Sequence, residues 1–233
     1  MFELKKIEAE WKARMHKALS FDGVNDYVDC GNDKSLDLSD ELTILVWINF
    51  KYAEQADIYC HTVAKTYAYS FGIKHRYSNR SFFIVYSDTS LETHLAELNI
   101  GDGQWHMTGV VFAYPKAWFV RDGILTSAVN YSIKPCINTN SLKIGTWSST
   151  YGFNKAKISS VRIYNRGLSE SEIKYLYHNP FDPIDPEHLV LWLNPAGIDV
   201  ANGKWWDLSG KGNHGTIHGA TEVKLIEEEV VIQ

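Results

Sequence analysis

The sequence predicts an all-β fold, a two-sheet antiparallel β-sandwich of jelly-roll type carrying one short helix. Apolar runs of strand length recur at close, regular spacing through most of the 233 residues, turn residues punctuate them, and helical periodicity is sparse. The length suits one sandwich with a full core. A composition of 45% hydrophobic and 22% charged residues belongs to globular proteins and excludes a disordered chain. Eight Trp and thirteen Tyr supply rings for a β-rich core and for a binding surface.

The elements follow in order. In residues 18–31 two alternating apolar runs flank Asp22-Gly23, a hairpin or strand-corner-strand signal. Residues 36–40 are turn formers. Residues 41–50 give the strongest strand: Leu42, Ile44, Val46, Ile48 and Phe50 share one face under period-two alternation, and Leu45 and Trp47 take the other. A strand apolar on both faces belongs in the middle of a layered fold. Trp105 and Trp118 lie inside strand patterns too and are read, like Trp47, as core.

Further strands are predicted at 58–64, 69–74, 81–86, 93–98, 105–112, 116–120, 125–131, 142–145 and 157–164, with Asp122-Gly123 as the turn between the 116 and 125 runs. Ser169 followed by Glu170, Glu172, Ile173 and Leu176 predicts an N-capped helix of about two turns. Leu4, Ile7, Trp11 and Met15 recur at helical spacing, so residues 1–17 read as a helical or extended arm. Pro180, Pro183 and Pro186 make 179–187 a linker between the body, 18–178, and a C-terminal segment, 188–233. Trp205 and Trp206 straddle the two faces of a terminal strand, which buries one of them.

Several functions are excluded on charge and motif. A net charge of −5 with scattered Lys and Arg gives no footprint for nucleic acid. No apolar run approaches the roughly 20 residues that span a bilayer, which argues against membrane insertion, and Met1 to Lys6 lack the apolar core of a signal peptide. Cys30, Cys60 and Cys136 have no CxxC spacing and are odd in number, so they read as buried free thiols, with a single disulfide as the alternative. His214 and His218 are four apart, but in a Gly-rich stretch and not on a helix, which argues against zinc. Glu227 to Glu229 read as a solvated terminus.

A family resemblance adds to these readings. Ala18-Leu19-Ser20-Phe21-Asp22-Gly23-Val24-Asn25-Asp26-Tyr27-Val28 resembles the opening "ALSFDGVDDYV" of laminin-G-like, concanavalin A-like domains. Gly103 to Val110 resembles their "GQWHHVAGV", and Val161 to Ser169 with Glu172-Ile173 resembles "VRIYNRALSxxEI". Leu189 to Trp192 and Trp206 to Thr216 resemble "LVAYW" and "VxDSSGNGNHGT", a segment that the family places before "ALSFDG" and that stands last here. The chain thus looks circularly permuted, with 188–233 completing its own sandwich; completion of a neighbouring copy head to tail, giving a homo-oligomer, is the alternative.

The resemblance implies recognition of a glycan or glycosylated surface, in an extracellular, cell-surface or virion setting. It also implies a Ca²⁺ site at Asp22, with Asp26 beside it, although Ser159 and Ser160 stand where relatives carry an acidic residue. The null alternative for Asp22 is a turn residue bonding its own backbone. The ExDxE strand of the family's glucanases does not occur, which argues against an enzyme.

Sugar binding requires aromatic faces flanked by polar groups. The loop 145–154 offers Trp147 and Tyr151 among small turn formers, and Tyr67, Tyr69, His75 and Tyr77, with Arg76, Asn79 and Arg80, form a second aromatic-polar cluster. His61, Tyr86 and His94 are candidates for the same face. A structural or adhesion protein of a virion or surface assembly, and a divergent glycosidase, are the rival readings.

Overall fold

The computed structural model describes residues 17–52, 59–74 and 80–225. The helical arm expected before residue 17, His75, Tyr77 and the acidic run 227–229 lie outside these described residues.

In chain order the strands are β1 (Lys17–Asp22), β2 (Tyr27–Asp29), β3 (Glu41–Lys51), β4 (Tyr59–Lys65), β5 (Tyr69–Lys74), β6 (Arg80–Tyr86), β7 (Leu91–Glu97), β8 (Asp102–Ala113) and β9 (Lys116–Arg121). They continue as β10 (Ile124–Leu125), β11 (Val129–Asn130), β12 (Leu142–Ile144), β13 (Lys155–Tyr164), β14 (Leu189–Asp199), β15 (Lys204–Asp207), β16 (Gly215–His218) and β17 (Thr221–Lys224). The helix α1 spans Glu170–His178.

All strand pairs are antiparallel, and they form two layers. One runs β17-β1-β13-β3-β8-β9, with β14 taking over from β1 along the second half of β13. The other runs β15-β16-β2-β12-β4-β5-β6-β7. The strand β14 joins them: Leu193 pairs with Asp207, the register then slips, and Ile198 pairs with Trp205. The strands β14 to β17, after the proline segment, therefore contribute to both layers.

Period-two alternation on β3 decides which residues meet. Leu42, Ile44, Val46, Ile48 and Phe50 face the other layer and pack with Tyr69, Phe71, Phe83, Val85 and Trp205. Each such fully buried side chain stabilises the fold by about 1.5–3 kcal/mol relative to exposure. Leu45 and Trp47 face outward into a second cluster with Trp105, Met107 and Trp192, roofed by Ile173 and Leu176 of α1. Trp118 only borders that cluster, half-buried, because β9 lies near the layer's edge.

The helix starts where the sequence signals it. Ser169 accepts from the Glu172 backbone, and the Glu172 carboxylate accepts from the Ser169 N–H at 2.8 Å, a reciprocal capping box. Arg166 then grips Glu172 and Asp185, fastening the helix start to the proline segment. Arg162, buried against the Trp192 ring at 4.9 Å, donates to the carbonyls of Pro180 and Asp182.

Two expectations need correcting. The strand foreseen over 125–131 is broken into β10 and β11, because the Thr126 hydroxyl accepts from Phe119 N (3.0 Å) in place of a ladder carbonyl. Of the three thiols, all free, Cys30 and Cys60 are buried and Cys136 is half-buried. Trp205 is fully buried, its indole donating to the Asn194 carbonyl at 2.8 Å, and Trp206 is exposed. Among the described residues no helix is long and apolar enough to cross a membrane.

Candidate functional site

The outer face of β4 to β7 carries the candidate site. Registration sets the side chains there in rows: Tyr59, Lys74, Arg80 and Glu97; then His61, Gly72, Phe82 and Leu95; then Ser70, Ile84 and Thr93; then Tyr86 and Leu91. Gly72 is required, since a Cβ there would stand 2.3 Å from the Cys60 carbonyl and 2.6 Å from the Phe82 ring that lies across it.

The loop between β12 and β13 folds onto this face. It docks through Gly145 N to Thr62 O (2.9 Å), His61 N to Gly152 O (3.1 Å) and Asn154 Nδ2 to Thr62 Oγ1 (3.0 Å), all at the bulge that β4 makes between His61 and Val63. Gly152 takes φ +80°, and a Cβ would meet His61 at 2.6 Å and Trp147 at 2.9 Å. Docking leaves a groove of about 240 Å³ between loop and strands, lined by Tyr59, His61, Ile84, Tyr86, Leu91, Thr93, Trp147 and Tyr151. Among the described residues no Asp, Glu, Lys or Arg lines it.

The candidate rings occupy different stations. Trp147 is 9% exposed, its ring 4.9 Å from His61, 5.2 Å from Tyr86 and 5.8 Å from Tyr67. It holds three rings in place and shows only an edge to solvent. Tyr151 is 49% exposed over the groove, and Tyr67 is 61% exposed beside it, stacked edge-on against both Tyr86 and Trp147. Tyr67 has φ +59°, an unfavourable conformation for a bulky residue. Its turn is fixed by the Asn138 and Asn140 amides on Thr66 O and by Cys136 Sγ on Tyr67 O.

His61 is the polar centre. Burial drives its pKa down to about 3, so the ring is neutral at physiological pH. Nδ1 lies 2.7 Å from Ser70 Oγ, whose own hydrogen goes to the Val63 carbonyl (3.3 Å). The serine thus engages Nδ1 and fixes the ring, and Nε2 is the nitrogen left for a ligand.

Tyr59, Ile84, Leu91 and Thr93 were not singled out from the sequence, although alternation along 80–86 and 91–97 gave the needed signal. Tyr69, expected in the aromatic cluster, instead points into the core, fully buried, with its hydroxyl donating to the Leu36 carbonyl at 3.0 Å, and His94 does not join this face either. It alternates inward, 4.6 Å from Tyr131, and bonds Glu92 at 2.9 Å.

Asp22 and Asp26 lie elsewhere, at the corner between β1 and β2. Asp22 Oδ1 accepts from Val24 N (2.8 Å) and Asn25 N (3.2 Å), and Asp26 Oδ2 accepts from Asp22 N (2.9 Å). Burial and the nearby Asp22 charge raise the Asp26 pKa, so charge is disfavoured there. Ser160, at a position where relatives carry an acid, donates to the Leu193 carbonyl. Among the described residues no three His, Cys, Asp or Glu side chains gather where they could hold a metal. The Asp22 and Asp26 oxygens named here accept from backbone N–H groups of the turn.

The family model for the concanavalin A-like lectin/glucanases superfamily matches residues 22–174. The chain belongs to that superfamily. Among solved structures, a candidate carbohydrate-binding protein from Bacteroides ovatus superposes with TM-score 0.70 at 16% identity, covering 94% of this chain and 62% of that one. This chain thus spans less than two thirds of that protein's length. The heptameric SAP-like pentraxin of Limulus polyphemus superposes at TM-score 0.53 and 11% identity, covering 70% of this chain and 82% of that one. Domains LG4-5 of the mouse laminin α1 chain superpose at 0.52 and 15%, covering 66% and 43% respectively. At these identities the likeness establishes the superfamily's fold. No curated protein sequence matches the chain.

Proposed function

We propose that the protein is a non-catalytic carbohydrate-recognition module whose ligand, a free glycan or a glycosylated surface, lies in the groove beneath Tyr151. One observation carries the reading: a half-exposed ring stands over a slot whose described lining is uncharged and whose floor holds a buried imidazole fixed by Ser70. An aromatic face stacks on the C–H face of a pyranose, and a few placed polar groups set its orientation. The fold of the Bacteroides ovatus protein is consistent with this use. Hydrolysis of a glycosidic bond ordinarily needs two carboxyl groups about the scissile bond, and among the described residues the groove lining contains none.

The test is a glycan array followed by affinity electrophoresis of the full chain and two variants. Tyr151→Ala should weaken retardation by the bound glycan about tenfold or more, in line with about 1.4 kcal/mol or more of lost stacking and burial. Trp206→Ala, an exposed ring on β15, should leave it unchanged. Failure to bind any glycan at millimolar concentration, or equal loss in both variants, overturns the proposal.

A further inference from the structure

The first row of the same face carries the charge that the groove lacks. Lys74 and Arg80 are direct cross-strand partners on β5 and β6, an arrangement that destabilises a sheet. Arg80 is compensated, since its Nε donates to Glu97 Oε1 at 3.0 Å. Lys74 is not. Among the described residues its ammonium makes no hydrogen bond or ion pair, and it stands 5.1 Å from the centre of the Tyr59 ring, a wall of the groove.

The chain is acidic overall, so carboxylates to pair with this lysine are plentiful, yet among the described residues the fold brings none to it. A local rule broken without compensation marks a place where function sets the residue. Tyr59 and His61 are successive outward residues of β4, about 7 Å apart. A sugar ring seated over His61 thus has a substituent within reach of Lys74.

We infer that the groove takes an acidic saccharide, with its ring face on Tyr151 and its carboxylate or sulfate on Lys74 Nζ. This rests on the saccharide reading of the groove. The chemistry required is an anionic oxygen cluster projecting from one edge of a pyranose. The point-charge ammonium accepts a planar carboxylate and a tetrahedral sulfate alike.

Calorimetry on the full chain tests this with matched pairs: oligogalacturonate against its methyl ester, and chondroitin sulfate tetrasaccharide against its desulfated form. The charged member of at least one pair should bind about tenfold tighter, the worth of one charge-assisted hydrogen bond; the pair that responds tells uronate from sulfate. The preference should shrink as salt rises from about 0.05 M to about 0.5 M. Lys74→Gln should erase it without weakening the neutral member and without lowering the melting temperature, because repulsion with Arg80 is relieved. Lys116→Gln, on the other layer, should change nothing.

Equal binding within both pairs, survival of the preference in Lys74→Gln, or equal loss in Lys116→Gln overturns the inference. If the neutral members still bind, the groove reading stands. Failure of all four probes together with an empty glycan array removes both.

Discussion

Replacing Trp205 by Ala tests whether the C-terminal segment is part of the core. The Trp205 side chain is fully buried between the layers, and its indole N–H donates to the Asn194 carbonyl at 2.8 Å. Truncating a buried Trp to Ala costs about 3–5 kcal/mol in transfer and cavity terms. Stranding the Asn194 carbonyl adds about 1 kcal/mol or more. In a domain of this size each kcal/mol lowers the melting temperature by about 2–4 °C, so a fall of roughly 10–20 °C is expected in a calorimetric or circular-dichroism melt. Trp206, its neighbour, is 40% exposed and makes one long bond to Asp199 (3.3 Å). Its removal should cost under about 1 kcal/mol. If Trp205→Ala melts within 2 °C of the parent, or Trp206→Ala loses as much, the assignment of β14 to β17 to a shared core is refuted.

Three further outcomes follow. In an NMR titration His61 should stay neutral until pH falls toward about 3, because burial opposes its charge; titration near neutrality would mean an open, hydrated groove floor. Glu172 is held down to about 2 by hydrogen bonds from Arg166 acting against partial burial. Its contribution is thus complete above the unfolded value of about 4.3 and is lost as pH falls through about 2. The stability gap between parent and Glu172→Gln should close over that acid range, and a gap that stays constant would contradict the Arg166 pairing. Millimolar calcium against a chelator should shift the melt by no more than about 1 °C, since Asp22 Oδ1 and Asp26 Oδ2 already accept from backbone N–H groups and only a ligand bound by the folded state stabilises it; a larger shift would show that calcium binds the folded chain.

Much of the fold was legible because one period assigns many residues at once. Alternation sent Leu42 through Phe50 to one side of β3 and Leu45 and Trp47 to the other, and both sets found clusters there. The capping box at Ser169 was equally readable, being local in sequence. The break at Thr126 was not, because it depends on a hydroxyl reaching a strand partner seven residues away. The aromatic loop was visible as a loop. That Trp147 would be wedged among rings from β4, β6 and the 66–68 turn was not.

By itself, the sequence determined the layered β architecture, the helix start and the turn at Asp122-Gly123, where both residues have positive φ. These follow from local preference and from the period of apolar side chains, which neighbours along the chain suffice to fix. Tertiary structure alone decided that His61, Tyr86 and Tyr151 share a groove, that Lys74 stands over the Tyr59 ring at its end, and that β17 returns to pair with β1. Those depend on strand register and loop docking, in which residues tens to hundreds apart are placed by the packing of the whole body.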